Sequence, residues 1–271
     1  MPLPSRYWAD LPWPAFRSLP PDTVALLPLA AIEQHGPHLP VSVDATINEG
    51  IVERVLRGLE ADFPLLVLPT QKIGCSVEHL RFPGTLTSTP ETLIALWTEI
   101  GDSVARAGIR RLVMLNSHGG QVQVMEIVAR RLRIRHDMLV VPLSWSRLGM
   151  PPGLVTPLEG RYGIHAGQIE TAAMLALRPD LVDMSKAKDF RSAWMVAEDD
   201  FPHLIPGGGA AIAWQAQDLH PAGAVGDASR ATAADGEAIL DLAARRILAL
   251  LQEVRRFDAA AWVGRTPDPD A

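Results

Sequence analysis

The sequence contains a single cysteine, Cys75, and only three lysines, Lys72, Lys186 and Lys188. A lone cysteine excludes an intrachain disulfide and a thiolate metal cluster, so any metal ion must be bound by histidines and carboxylates. Acidic residues outnumber lysines and arginines by 31 to 25, which gives a formal net charge of −6 at pH 7. Because no basic stripe is available to neutralise phosphates, the composition argues against a nucleic-acid or anionic-membrane partner.

Long apolar runs are also missing. No run approaches the roughly 20 residues that a membrane-spanning helix needs. Residues 1–16 lack a basic segment followed by an apolar one, which a secretory signal would show. These absences predict a cytoplasmic protein. With 48% hydrophobic residues in a chain of 271, the composition is typical of a globular protein with a sizeable core.

Apolar segments alternate with helical patterns along the chain. Strands are predicted at residues 24–32, 64–69, 111–115 and 138–143, and helices at residues 45–59, 90–107, 120–134, 167–177 and 231–256. This alternation predicts an α/β sandwich, in which a mostly parallel sheet is covered by helices on both faces. Ligands bind such sheets beyond the carboxyl ends of the strands.

The sequence shows no internal repeat, low-complexity tract or linker, so residues 1–263 are predicted to form one domain. Residues 264–271 are predicted to be a loose tail. Three segments rich in glycine and proline are predicted to be long loops: residues 71–88, 146–164 and 201–227. Loops of that length in a compact domain are often functional.

The first group of candidate ligands directly follows the first predicted strand. Glu33 and His35 are two residues apart and project to the same side of an extended backbone, and Asp44 lies at the predicted N-cap of the next helix. A glutamate, a histidine and an aspartate suit a divalent ion such as zinc or manganese, and Asp44 is a candidate to bridge two ions. The alternative is a helix cap and a loop histidine. His38, among Pro37, Leu39 and Pro40, is interpreted as a structural histidine.

Two further groups lie at similar junctions. His118 follows the third predicted strand, and Gly119 and Gly120 let a ligand approach the backbone at a helix start. His165 precedes another predicted helix, and Glu170 lies in its first turn, where the helix dipole favours a carboxylate. The glycine-rich turn after His118 could bind a phosphate instead, but no lysine follows in P-loop spacing. The pair of His165 and Glu170 alone also fits a helix-capping arrangement. Three groups of metal-type ligands at such junctions together predict a metal site.

Four segments in order along the chain carry a family resemblance. They are Glu33-x-His35-Gly-x-His38-Leu-Pro followed by Asp44, Gly74-Cys-Ser76-x-Glu-His79-x-x-Phe-Pro-Gly-Thr85, Asn116-x-His118-Gly-Gly, and His165-Ala-Gly-x-x-Glu170-Thr. Together they resemble the creatininase family (creatinine amidohydrolase and relatives) from about residue 5 to residue 257.

The resemblance implies a site with two divalent ions, zinc or manganese, and hydrolysis of a non-peptide C–N bond in a cyclic amide or formamide. A small-molecule substrate and a homo-oligomer of hexamer type are also implied. Two cations that share a water lower its pKa, so a hydroxide held between the ions is the expected nucleophile. Carried over by position, Glu33 and His118 hold one ion, His35 and Glu170 the other, and Asp44 bridges. His165 matches the catalytic histidine, and Ser76 matches a serine that contacts substrate.

The sequence differs from that of creatininase at positions that are expected to lie near the substrate. Creatininase itself has a tyrosine and a metal-binding glutamate at the places of Gly119 and Gly120, and an aspartate at the place of Tyr162. We therefore assign Gly119 and Tyr162 to the substrate pocket and expect that pocket to be wider and less anionic, with creatinine at best a weak substrate. The Gly-Gly form resembles formamide deformylases and the mycofactocin-system peptidase.

Three alternatives stay open at this point. His165 is expected to be the general acid that protonates the leaving nitrogen, and His79 is the rival for that role. The chain could be a peptidase acting on a peptide end rather than an amidohydrolase of small molecules. It could also be a metal-binding protein of the same fold without catalysis.

Overall fold

The computed structural model describes residues 3–204, 210–258 and 261, and the predicted loose tail at residues 264–271 lies outside them. Its centre is a four-stranded sheet of order β2-β1-β3-β4. The strands are β1 (Val24–Leu29), β2 (Leu65–Val67), β3 (Arg111–Asn116) and β4 (Leu139–Ser144), and every pairing is parallel. All six residues of β1 are buried, as expected of a central strand covered on both faces.

Helices pack on both faces of this sheet, which confirms the predicted fold class. The helices are α1 (Val43–Gly58), α2 (Pro90–Arg106), α3 (Val122–His136), α4 (Pro157–Tyr162), α5 (Gln168–Leu177), α6 (Trp194–Asp200), α7 (Ala216–Leu219) and α8 (Ala233–Arg256). The apolar sides of α1, α5 and α8 form one core against the sheet, and those of α2 and α3 form the other. None of the described helices is long and apolar enough to cross a bilayer.

The ends of the long helices follow local capping rules. Thr89 accepts a hydrogen bond from the backbone N–H of Thr92, and Pro90 occupies the first turn of α2. Thr232 caps α8 in the same way through Asp235. The sequence therefore predicts these boundaries to within two residues.

Two expectations about local structure are wrong. Asp44 is not a helix cap: α1 begins at Val43 after Ser42, and the Asp44 carboxylate is buried among histidines of the ligand cluster instead of facing the helix N–H groups. The segments predicted as loops also contain short elements. They are α4, α7 and strand β6 (Gly226–Asp227), which pairs antiparallel with β5 (Asp189–Phe190) outside these segments.

The register of the sheet brings the first two ligand groups to one edge. Leu29 at the end of β1 pairs with Asn116 at the end of β3, and the N–H of Ser117 donates to the Leu29 carbonyl at 3.0 Å. Asn48 of α1 donates to the carbonyls of Leu29 and Leu115, at 2.9 and 3.0 Å. These bonds tie α1 to the carboxyl ends of both strands.

His38 packs away from the ligand cluster, against Phe190, and its Nε2 lies 2.9 Å from Thr171 Oγ1. Burial lowers the pKa of His38 to about 4. In the unfolded chain its pKa is about 6.5, so below that value the unfolded state binds a proton that the folded state does not. We expect the free energy of unfolding to fall by about 2 kcal/mol between pH 7 and pH 5 through this group alone.

Denaturant unfolding of the parent and of His38→Gln at the two pH values measures this contribution. The variant should lose less stability on acidification, because a glutamine has no proton to gain. Equal losses in the two proteins would show that His38 does not contribute to the pH dependence.

Candidate two-metal site

The five predicted ligands converge at the carboxyl edge of the sheet. Glu33 and His35 follow β1, Asp44 lies in the first turn of α1, His118 follows β3, and Glu170 lies in the first turn of α5. The first four are at most 4% exposed, and the Glu170 side chain is 18% exposed. Three separate segments of the chain thus contribute to one buried cluster.

The cluster divides into two groups that share Asp44. In the first, His118 Nδ1 lies 3.1 Å from Glu33 Oε2 and 3.5 Å from Asp44 Oδ2. In the second, His35 Nε2 lies 3.7 Å from both Asp44 Oδ1 and Glu170 Oε2. Asp44 therefore turns one carboxylate oxygen to each histidine, which is the arrangement of a ligand between two ions.

Both histidines present a lone pair to these groups. His118 Nε2 lies 2.7 Å from the Cys75 carbonyl and His35 Nδ1 lies 3.0 Å from the Glu33 carbonyl. A carbonyl accepts only, so the neutral rings carry their protons there and leave His118 Nδ1 and His35 Nε2 as acceptors.

A divalent cation fits this donor set. Glu33 Oε2, His35 Nε2 and Asp44 Oδ2 are buried and have no hydrogen-bond partner in the described part of the chain. Acceptor atoms that face one another in a buried cluster repel, and burial without a partner is costly. A positive ion among them removes both penalties. Nitrogen and carboxylate ligands without thiolate suit zinc or manganese.

The pKa values of the candidate ligands also reflect the crowding of buried charges in this cluster. Burial alone would raise the pKa of Glu33, but nearby histidines, His118 first, hold it well below the ordinary value. Burial and then Glu33 raise the pKa of Asp44 well above its usual range. Burial opposes protonation of His118, yet Glu33, Asp44 and Glu78 together raise its pKa well above normal. Burial, and after it the neighbouring His165, lowers the pKa of His35 well below its ordinary value. A cation would replace protons in this cluster, so binding should release them.

His165 and His79 flank the cluster on the side of Glu33. His165 Nδ1 lies 3.7 Å and His79 Nε2 lies 3.4 Å from Glu33 Oε1, and the centres of the two rings are 4.4 Å apart. Burial lowers the pKa of His79 to about 3, so this ring is neutral at pH 7. Both candidates for the general acid therefore lie beside the same carboxylate oxygen, Glu33 Oε1.

A strained turn joins His165 to Glu170. Ala166 adopts a left-handed conformation with φ of 55°, which is uncommon for a residue with a side chain. In this conformation its N–H donates to Glu170 Oε2 at 2.6 Å, and the His165 carbonyl accepts from Val225 N at 2.8 Å. The turn thus orients a ligand and the neighbouring histidine together.

Glu159 is a buried carboxylate that sequence reasoning missed. Its two oxygens accept hydrogen bonds from the N–H groups of Gln168 and Asp227, each at 2.8 Å. These bonds fasten the start of α5 to β6 and so support the turn that carries His165. Its position in a glycine-rich loop gave no sequence signal.

Glu78 changes the expected shape of the pocket. A side chain at Gly120 would overlap the Glu78 carboxylate, and Glu78 Oε1 lies 3.7 Å from His118 Nε2. The expectation of a less anionic pocket is therefore wrong at Gly120, because a carboxylate reaches that space from the loop after β2. Gly119 differs, because a Cβ atom added there would meet no atom of the described residues within 4 Å.

The two remaining predicted substrate contacts lie in different places. Ser76 is fully buried beside the turn of His79, and its Oγ has no hydrogen-bond partner among the described residues. Tyr162 lines a cavity of about 280 Å³ with Phe190 and Arg230, and no predicted metal ligand lines it. The substrate contact at Tyr162 stays a prediction.

Comparison with known proteins identifies the family of the chain. The family model Creatininase (creatinine amidohydrolase) matches residues 9–251. Creatinine amidohydrolase from Pseudomonas putida is 33% identical over 73% of this chain and 82% of its own length. A mycofactocin precursor peptide peptidase from Mycobacterium tuberculosis is 33% identical over 90% of this chain and 86% of its own.

Solved structures agree as well. A mutant creatininase of Zn-Zn type superposes with a TM-score of 0.73 at 27% identity, covering 93% of this chain and 99% of that one. A creatininase with Mn superposes with a TM-score of 0.72 at 26% sequence identity, covering 93% of this chain and 100% of that one. The family match spans most of the sequence, and the chain belongs to the creatininase family of hydrolases.

Proposed function

We propose that this chain is a two-metal amidohydrolase that cleaves a C–N bond in a cyclic amide or formamide. The observation that carries the proposal is Asp44, whose two carboxylate oxygens face His118 on one side and His35 on the other. Glu33 would complete the first ion's ligands and Glu170 the second's. Two divalent ions, zinc or manganese, would activate a water molecule and polarise the amide carbonyl.

The protein's own residues would supply the remaining steps. The burial of the cluster excludes bulk water and strengthens every charge interaction within it. His165 and His79 lie beside Glu33, where they can exchange a proton with the reacting atoms or hydrogen-bond to them. Ser76 offers a buried hydroxyl to the substrate. The hexamer and the small-molecule substrate implied by the family resemblance stay predictions.

A peptidase acting on a peptide end is the second candidate. The exposed position of Gly119 favours it, because an added Cβ atom there would meet no atom of the described residues within 4 Å, which leaves room for a longer substrate to pass. The relative from Mycobacterium tuberculosis that covers 90% of this chain is a mycofactocin precursor peptide peptidase.

A substrate screen distinguishes these functions. Protein loaded with zinc or manganese is assayed against creatinine, hydantoins, lactams, formamidopyrimidines and short peptides. We expect creatinine to give a kcat/KM below ~10⁴ M⁻¹s⁻¹, under the range of ordinary efficient enzymes, and a larger cyclic amide or formamide to be preferred. Turnover of peptides alone supports the peptidase, and ion binding without any turnover supports a non-catalytic protein.

Narrowing the pocket at Gly119 tests its shape. Gly119→Leu should lower kcat/KM for the preferred larger substrate by ~10-fold or more, since a few lost contacts of ~1 kcal/mol each account for that factor. Gly160→Leu, on the exposed side of α4, is the matched control and should leave the rate unchanged. An equal effect of both substitutions would place Gly119 outside the substrate pocket.

A further inference from the structure

We propose that Gln34 makes one proton donor and one proton acceptor out of two neighbouring imidazoles: His79 presents an N–H to the substrate and His165 presents a lone pair. Gln34 is not among the proposed metal ligands and acts through the two histidines that it contacts, so it is a positioning residue. The inference rests on the proposed hydrolytic function and gives the two histidines different roles in it. They are therefore partners and not rivals for one role.

The orientation of the Gln34 amide is fixed by two partners of known polarity. Its Oε1 accepts a hydrogen bond from the N–H of Gly36 at 2.9 Å, and its Nε2 donates to the carbonyl of Gly223 at 2.8 Å. The reverse orientation would set two donors against each other and two acceptors against each other. The Gln34 amide is therefore oriented by the backbone.

The second hydrogen of Gln34 Nε2 sets the tautomer of His79. Nε2 lies 2.8 Å from His79 Nδ1, so this ring nitrogen must accept. A neutral imidazole that accepts at Nδ1 carries its proton at Nε2. His79 Nε2 is the atom 3.4 Å from Glu33 Oε1, at the metal cluster. His79 thus turns an N–H toward the reacting centre.

The backbone of Gln34 sets the opposite arrangement for His165. Its carbonyl lies 2.7 Å from His165 Nε2 and can only accept, so the proton of the neutral ring lies on that nitrogen, away from the cluster. The free lone pair is at Nδ1, 3.7 Å from Glu33 Oε1. Gln34 Nε2 also lies 3.3 Å from His165 Nε2, but its two hydrogens are already directed to Gly223 and His79.

This arrangement gives each of the two histidines its own role in amide hydrolysis. The attacking water gives a proton to His165 Nδ1 as its oxygen bonds to the carbonyl carbon. His79 Nε2–H donates a hydrogen bond to the carbonyl oxygen while that oxygen carries negative charge, and it transfers no proton. The C–N bond then breaks with its electron pair on nitrogen, and the proton held by His165 passes to that nitrogen. The products are a carboxylic acid and an amine.

Spectroscopy tests the proton positions without any turnover. In zinc-loaded protein with ¹⁵N-labelled histidine, long-range ¹H–¹⁵N correlation spectra show which ring nitrogen of each of the eight histidines carries the proton. Signals are assigned by their loss in His79→Gln and His165→Gln. We expect His79 and His165 both to carry the proton on Nε2. A proton on Nδ1 of His79 in the parent protein would overturn the proposal.

Substitution of Gln34 tests whether this residue determines the tautomer of His79. In Gln34→Glu a carboxylate replaces the donor, so His79 should move its proton to Nδ1, while His165 keeps its own. We expect kcat to fall ~10²–10³-fold, as for the loss of one donor to a developing oxyanion, with KM and zinc content much less affected. Gln34→Met should leave His79 without a fixed tautomer. An unchanged His79 tautomer in both variants would show that Gln34 does not control it.

Conservative variants separate the two roles. A glutamine side chain can donate an N–H but is no base, so His79→Gln should retain at least ~10-fold more activity than His79→Leu. His165→Gln should be no better than His165→Leu. The reverse pattern would exchange the roles and refute the assignment. If the protein hydrolyses nothing, the proposed function fails, and the spectra alone decide whether Gln34 sets the tautomers.

Discussion

Asp44→Asn should deprive the protein of both metal ions. Each oxygen of this carboxylate faces a different histidine, so the substitution removes a negative ligand from both groups at once. Substitution of residues that only orient metal ligands lowers affinity ~10–100-fold, and a ligand shared by two ions should cost well beyond that. Elemental analysis after dialysis should find at most a trace of zinc or manganese, and activity should fall with it.

The stabilities of the metal-free proteins show whether Asp44→Asn impairs metal binding or folding. Burial and the neighbouring Glu33 raise the pKa of Asp44, so its charged form is unfavourable without a cation. A neutral asparagine relieves that repulsion. We therefore expect metal-free Asp44→Asn to be at least as stable as the metal-free parent, while the parent alone is stabilised by added zinc.

Asp102→Asn is the matched control, because the Asp102 carboxylate also contacts a histidine, His136, and Arg135, but lies outside the ligand cluster. It should retain two ions per chain. Full metal content in Asp44→Asn, or equal losses in both variants, would remove Asp44 from the bridging position.

The convergence of the candidate ligands could be predicted from the sequence because it depends on two rules about strand ends and helix starts. Glu33 and His35 lie in the segment after β1 and His118 lies just after β3, and neighbouring parallel strands end at one edge of a sheet. Glu170 lies in the first turn of a helix. Only the capping position of Asp44 was wrong, since the geometry of a helix start does not show whether a carboxylate turns inward to other ligands.

The residues that surround the ligands could not be predicted in this way. Gln34 makes its contacts with Gly223 and His165 across 189 and 131 positions of the chain. Glu78 reaches the space above Gly120 from a glycine-rich loop whose path has no periodic pattern. Such contacts arise from tertiary packing, so the sequence shows these side chains without showing what they touch.

His165→Ala should separate catalysis from metal binding. The ring holds its proton on the side of the Gln34 carbonyl and turns Nδ1 to the cluster, where a lone pair can take a proton from the attacking water. Loss of such proton transfer costs ~10²–10⁴-fold in rate. We expect a loss of this size in kcat with both ions retained, and partial recovery when imidazole is added to fill the space of the missing ring.

The competing role is that of a ligand, because His165 also lies with His35 and Glu170 in a group whose ligand atoms are all within 4.8 Å of one another. If His165 binds the second ion, zinc content should fall toward one per chain, and imidazole should restore metal and rate together. His38→Gln, another buried histidine outside the cluster, should keep both ions and full activity. Near-normal turnover of His165→Ala would exclude both roles and leave His79 as the group that handles the proton.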